Sequence, residues 1–251
     1  MAWHLGHALN NSGVKIKQVF SRNPQHAQSL AGSLGAYFTD SPGQIDRTSD
    51  LYILAVSDDA ITKVAESVGF LQTGILVHNS GSVPMQVLSN YASHYGVIYP
   101  LQTLTKGKNI EFKSVPVFAE GCNEEVYEKL SNLFSGISDH VYRLNSHDRL
   151  IVHCAAVISS NFSNHLFVLA QSLLKDHGLS FDLLKPLMIE TVSKAFEIGP
   201  LNAQTGPAKR RDKKVMDEHL KLLESLPGIK KIYEMLSNDI MGHWNERNLE
   251  I

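Results

Sequence analysis

Short apolar runs alternate with stretches of helical spacing through the first half of the chain. The runs fall at 16–20, 51–56, 75–78, 96–99, 115–119 and 140–144. Several are nearly continuous, which predicts strands buried on both faces of a parallel sheet. Between them, Asn23-Pro24 reads as an N-cap followed by proline at the first helical position, with Gly35 as the stop. Ala27, Leu30, Ala31 and Leu34 supply that helix with an apolar stripe. Asp58 and Asp59 open a second helix with apolar face Ile61, Val64, Ala65 and Val68. Asn123-Glu124-Glu125 opens a third, with Val126, Leu130, Leu133 and Phe134 turned inward. Strands alternating with helices predict right-handed βαβ units and an α/β, doubly wound, mostly parallel sheet.

Beyond Leu144 the pattern is helical only. Ser146 and Asp148 mark a start and Gly178 a stop, so one helix of about 30 residues, roughly 45 Å, is predicted. A second runs from Ser180 to about Ile198, with Pro186 in its first turns, and Gly199-Pro200 ends it. A polar loop, 202–209, leads to a helix carrying Val215, His219, Leu222 and Leu223; after Pro227-Gly228 a last helix carries Ile232, Met235, Leu236 and Ile240. The expected division is a Rossmann-like nucleotide-binding domain, 1–145, and an all-helical domain, 146–251.

The opening is unusual for such a sheet. A dinucleotide-binding domain begins with a strand and a glycine-rich turn, and the pyrophosphate sits on the helix that follows. Here Trp3, Leu5, Ala8 and Leu9 already read as helix, stopped by Asn11-Ser12-Gly13. The first strand and turn are therefore expected to be missing, with impaired dinucleotide binding as the consequence; the alternative is a sheet with fewer strands.

Composition narrows the classes. Of 251 residues, 43% are hydrophobic and 19% charged, with a net charge of -2, which fits a globular protein and gives no basic surface for nucleic acid or anionic membranes. No apolar run reaches the length of a membrane span, and the N-terminus does not read as a secretory signal. Two cysteines in unlike contexts, Cys122 and Cys154, argue against a disulfide framework and for a cytoplasmic setting.

Candidate chemistry gathers at strand ends, where open α/β sheets bind ligands. The 16–20 strand ends in Ser21-Arg22-Asn23, with no acid for a ribose 2′-hydroxyl. An arginine there suits a 2′-phosphate through two charge-assisted bonds; alternatively it is a solvated side chain beside a capping asparagine. Val56 and Ser57 end the next run, and Ser80 and Gly81 follow the next, as candidates for the nicotinamide side of a cofactor. Tyr99-Pro100-Leu101-Gln102-Thr103 leaves another strand end toward the same crevice. On the long helix, His153, Val157 and Asn161 are spaced by four and share a face. Imidazole titrates near neutrality, so His153 is a candidate acid and Asn161 its partner in polarising a substrate; the alternative is a satisfied core histidine. The loop with Thr205, Gly206 and Arg210 is dense in donors and suits an anionic substrate or phosphate. Despite 12 histidines, no metal-ligand spacing and no nucleophile elbow is present.

Taken together, Val19-Phe20-Ser21-Arg22, His78-Asn79-Ser80-Gly81-Ser82, Tyr99-Pro100-Leu101-Gln102-Thr103, His153-Cys154-Ala155-Ala156-Val157 with Ser160-Asn161-Phe162, and Thr205-Gly206-Pro207-Ala208 with Arg210, Asp212, His219 and Leu220 carry a resemblance. The chain resembles bacterial Rossmann-like proteins with a helical C-terminal domain of unknown function 2520, distantly similar to pyrroline-5-carboxylate reductases and deazaflavin-dependent NADP oxidoreductases. The family pattern starts with a strand and Gly-Ala-Gly-Asn just before the segment that here is Ala2-Trp3-His4-Leu5. Related hydroxyacid dehydrogenases place a lysine four residues before an asparagine on the long helix; here that position is Val157, so a lysine mechanism does not carry over. The resemblance implies an NADP-dependent oxidoreductase moving hydride to or from C=O or C=N of a small polar metabolite. The competing readings are a non-catalytic, nucleotide-responsive binding protein and an interaction module formed by the helical half. Apolar surface on the helices implies a homodimer through the helical domain.

Overall fold

The computed structural model describes residues 1–108 and 110–243. Helix α1 (Ala2–Asn11) comes first and ends at Ser12, as its sequence predicts. Strands β1 (Gln18–Phe20) and β2 (Tyr37–Thr39) then pair in parallel as a separate two-stranded sheet, joined by α2 (Pro24–Leu34). Asn23 caps α2 by accepting from the backbone N–H groups of Gln25 and His26, and Gly35 closes it in the left-handed conformation. β2 is not marked in the sequence pattern: Tyr37 and Phe38 are exposed, so no buried run signals it.

The second sheet has five strands in the order β3 (Leu51–Leu54), β4 (Leu71–His78), β5 (Ala92–Pro100), β6 (Val117–Gly121) and β7 (Val141–Arg143). All pairings are parallel except β5–β6, so the sheet is mostly parallel, and α3 (Ile61–Val68) and α4 (Glu124–Ser135) supply crossovers. Among the described residues β1 pairs only with β2, and β3 only with β4, so both have an unpaired edge. The doubly wound, Rossmann-like reading holds, and the elements match the predicted runs with shifted ends. Gly74 lies where the β4–β5 register shifts; its φ of +78° and the Ser49 carbonyl beside it leave no room for a side chain.

One face of the sheet packs Val77, Ile98, Val117 and Ala119 against Leu5 and Leu9 of α1 and Val126, Leu130 and Phe134 of α4. The other packs Leu54 and Leu76, with Leu88 from the turn after β4, against Ile61, Ala65 and Val68 of α3. Burying these stripes contributes about 25 cal/mol per Å² of apolar surface, and it fixes the C-terminal ends of β3, β4 and β5.

The chain divides into two compact units, Met1–Asn161 and Phe162–Ile251. Helix α5 (Ser146–Ala156) thus groups with the sheet, beyond the division near Asn145 expected from sequence, because Arg149 within it is buried against Glu120 and Val83. The long helix expected from Ser146 runs without a break to Asp176 as α5, a π-helical turn (Val157–Phe162) and α6 (Ser163–Asp176). The second unit is all helical: α6, α7 (Lys185–Ile198), α8 (Pro200–Ala203), α9 (Pro207–Arg210), α10 (Lys213–Leu222) and α11 (Pro227–His243). His219 and Tyr233 join α10 to α11 through a 2.9 Å hydrogen bond. No described helix is long and apolar enough to cross a membrane.

Candidate functional site

The C-terminal ends of β3, β4 and β5 converge. Ser57 follows β3 and precedes a short turn, Asp58–Ala60. Asp58 accepts a 2.5 Å hydrogen bond from Ser82, in the turn after β4, so the two strand ends are tied side chain to side chain. Within that turn Ser80 is buried, and its hydroxyl accepts from the N–H groups of Ser82 and Val83 at 3.1 and 3.0 Å. This is a Ser-turn: the hydroxyl replaces backbone partners the chain cannot supply. It leaves Gly81 with its backbone bare.

Two rings close on that bare backbone. A Cβ on Gly81 would stand 2.6 Å from Nδ1 of His153 and 2.8 Å from Cζ of Tyr99, so only glycine fits. Tyr99, near the end of β5, lies with its hydroxyl 3.0 Å from His153 Nδ1, the rings edge to face at 5.8 Å and 74°. His153 is half-buried, whereas Tyr99 is 9% exposed. Burial pushes the Tyr99 phenol up, the Asp58 carboxylate adds to this, and Arg149 opposes it.

Beneath the turn lies a buried ion pair. Arg149 of α5 pairs with Glu120 of β6 and donates to the Val83 carbonyl at 2.6 Å. Glu120 also accepts from the backbone N–H of Ser146 at 2.9 Å, at the first turn of α5. His78, fully buried at the end of β4, accepts from the Ser80 N–H through Nδ1 at 3.2 Å. Its pKa is lowered to about 4, first by burial and then by Arg149, so the ring is neutral. His78 Nε2 and Asn79 Nδ2 are buried without a hydrogen-bond partner, although the Pro84 carbonyl lies near enough to His78 to oppose part of its shift.

The end of β1 has its own polar set. Ser21 Oγ accepts from the Asn23 N–H at 3.2 Å, while the Asn23 carboxamide oxygen is committed to capping α2. Arg22 is exposed. The Asp59 carboxyl is held below the usual carboxylate range first by the Ser57 hydroxyl, with Lys63 and Arg22 adding attraction, which brings the ends of β1 and β3 within electrostatic reach. For an NADP-type cofactor this donor set fits: an arginine and a hydroxyl with no acid at 21–23, and an unpartnered, buried Asn79 amide after β4.

The family model for a domain of unknown function (DUF2520) matches residues 115–240. The chain belongs to this family. It is 37% identical to a candidate NADP oxidoreductase from Bacteroides fragilis, with a TM-score of 0.90 over 96% of this chain and 94% of that one. A Thermotoga maritima protein is 22% identical, with a TM-score of 0.77 over 92% and 93% of the two chains. The reductive aminase of Aspergillus terreus, solved with NADPH and ethyl-5-oxohexanoate, is 14% identical, with a TM-score of 0.70 over 95% and 91%; it shares the fold. No curated protein matches the chain in sequence.

In this DUF2520 chain the structure brings Ser80, Gly81 and His153 together, with Val56 and Ser57 beside Asp58 at the neighbouring strand end. On the helix that follows, His153 and Val157 are half-buried and Asn161 is exposed, and a π-helical turn starts at Val157. In the second unit Gly206 precedes α9 with φ +104°, Thr205 and Arg210 are exposed, and Arg211 adopts a left-handed conformation at the end of α9. A groove bounded by Trp3, His7 and Lys108, and another along α10 and α11, hold none of the expected site residues. Sequence reasoning passed over Arg149, Glu120 and the structural part of Asp58. An arginine in α5 one turn before His153 was the available signal, since a charge on a packed helix face needs a buried partner. Among the described residues, no three His, Cys, Asp or Glu side chains converge as metal ligands.

Proposed function

We propose that this chain is an NADP-dependent oxidoreductase that transfers hydride to or from C=O or C=N of a small polar metabolite. The observation that carries this reading is the pair Tyr99–His153 closed over Gly81 at the strand ends. NADPH, when bound, supplies the hydride. Ser21 and Arg22 select the 2′-phosphate; Asn23 shapes that end by capping α2; Val56, Ser57, Ser80 and Gly81 line the nicotinamide side. His153 polarises the heteroatom by donating a ring N–H, and the proton that balances the hydride comes from solvent water at the half-exposed ring; Asn161 is a further polar contact to substrate, and in the second unit Thr205, Gly206 and Arg210 are a separate set of donors suited to an anion. The description of the Bacteroides fragilis relative and the NADPH held by the Aspergillus terreus enzyme support the cofactor assignment.

The functional form in this reading is a cytoplasmic homodimer. Helices α6 and α7 have no buried residue, and Leu187, Ile189, Val192 and Phe196 are between 57% and 89% exposed. An apolar face of that kind suits a second copy of the chain. Two free cysteines, Cys154 exposed, suit a reducing compartment.

The test is a calorimetric titration with NADPH and NADH, followed by turnover of a panel of carbonyls and imines. Tighter NADPH binding with NADPH consumption is the expected result. NADPH binding without turnover favours the nucleotide-responsive binding protein; binding of neither nucleotide sinks the reading.

A further inference from the structure

We propose that Tyr99 is a positioning residue: its hydroxyl donates to Nδ1 of His153, fixes the ring as the Nε2–H tautomer, and so holds Nε2–H as the hydrogen-bond donor to the reducible group. This rests on the reading of His153 given above and extends it to a residue with no role there beyond proximity.

A separation of 3.0 Å between Tyr99 Oη and His153 Nδ1 does not by itself say which atom donates. Burial decides it. Tyr99 is 9% exposed, and His153 is the only hydrogen-bond partner of its hydroxyl among the described residues. A phenol carries one proton and must place it on an acceptor. If Nδ1 carried the hydrogen, Tyr99 would accept it and its own proton would stay unmet at a buried site, which costs more than the bond returns. With Nδ1 as acceptor, both groups are satisfied by one bond. The phenol also keeps its proton: burial and the Asp58 carboxylate both oppose phenolate, and only Arg149 favours it.

The ring is also held in place. Gly81 backbone lies under it where a Cβ would collide, and Tyr99 stands edge-on at 5.8 Å. Tyr99 is itself held by stacking on Phe118 at 6.3 Å and by packing with Met85 and Val97. The opposite nitrogen, Nε2, meets no described partner and the side chain is half-exposed. A neutral ring whose inner nitrogen is committed to an acceptor role presents one N–H outward, in a fixed direction.

The experiment is nitrogen-15 NMR of the full chain labelled at histidine, without cofactor, with the His153 signals assigned by their loss in His153→Gln. Protonated Nε2 and bare Nδ1 are expected; in Tyr99→Phe the two nitrogens converge toward a tautomer mixture. Turnover with NADPH falls about tenfold in that variant, and NADPH affinity does not change. A protonated Nδ1 in the unaltered protein overturns the proposal whether or not Tyr99→Phe folds, and so does an unchanged spectrum in the folded variant. The His153→Gln protein separates the two levels. Full reduction by it overturns the catalytic reading, and with it the purpose given to Tyr99. Lost reduction together with a protonated Nδ1 overturns the positioning alone.

Discussion

The guanidinium of Arg149 donates to the Val83 carbonyl at 2.6 Å, joining α5 to the turn that carries Ser80 and Gly81. The same group pairs with Glu120 and reaches Ser146 at 3.3 Å, so one buried side chain sets the distance between the helix of His153 and the end of β4. Removing it leaves the Glu120 carboxylate, 11% exposed, without its cation. Arg149→Ala is therefore expected to lose about 3–5 kcal/mol of stability in urea denaturation, and Arg149→Lys less, since a charge remains. A loss within the scatter of surface substitutions would show that the pair does not fasten the turn.

Gly81→Ala tests the packing over that turn. The added methyl would lie 2.6 Å from His153 Nδ1 and 2.8 Å from Tyr99 Cζ, so the rings must part. The expected cost is about 1–3 kcal/mol, with loss of the Tyr99–His153 bond. A crystal structure of the variant with that bond intact would contradict the close approach.

His78 predicts an acid dependence of stability. Its folded pKa is lowered from 6.5 to about 4 by burial and by Arg149. Between these values the unfolded chain binds a proton that the folded chain does not, so stability falls as pH drops through this window. The loss grows by about 1.4 kcal/mol per pH unit, to roughly 3 kcal/mol at pH 4. Denaturation at pH 7, 5.5 and 4.5 is expected to show this slope, with a shallower one in His78→Gln. Parallel slopes would mean that other groups carry the effect.

Arg22 is the test of cofactor choice. It is exposed at the end of β1, beside a serine and with no acid at 21–23. A charge-assisted contact to a 2′-phosphate is worth roughly 1.5–3 kcal/mol, so Arg22→Ala is expected to weaken NADPH about ten- to a hundredfold and spare NADH. Equal losses for both nucleotides would remove the role given to Arg22.

The parts legible in the sequence were those with local causes. The Asn23-Pro24 start and Gly35 stop of α2, the buried runs of β4 and β5, and the Asn123 cap of α4 are all written in neighbouring residues. The parts that were not legible depend on distant partners. β2 is three residues long and largely exposed, so it exists because β1 pairs with it. The π-helical turn at Val157–Phe162 leaves no mark in a pattern of four-residue spacing. Arg149 signals a buried charge on a packed helix, but its partner Glu120 lies 29 positions earlier on β6, which only the fold brings near. His153 could be singled out by residue type, but its bond to Tyr99 spans 54 positions that only the fold brings together.

The separation of β1–β2 from the five-stranded sheet has a dynamic consequence. Only three register pairs join β1 to β2, and a two-stranded ribbon is marginal alone. What else holds it is α2, with Ala27 and Ala31 buried, Leu34 against Gly6 of α1 and Ser33 bonded to His7 at 3.1 Å, and the Gln18 side chain bonded to the Gln44 carbonyl and the Asp46 N–H at 2.9 and 2.8 Å. Residues 18–39 thus form a small cooperative unit that can open while β3 to β7 stay closed. Its backbone amides will exchange with deuterium well before those of Leu76 and Val77, and the Arg22 end of the site will be the part that a bound nucleotide slows most.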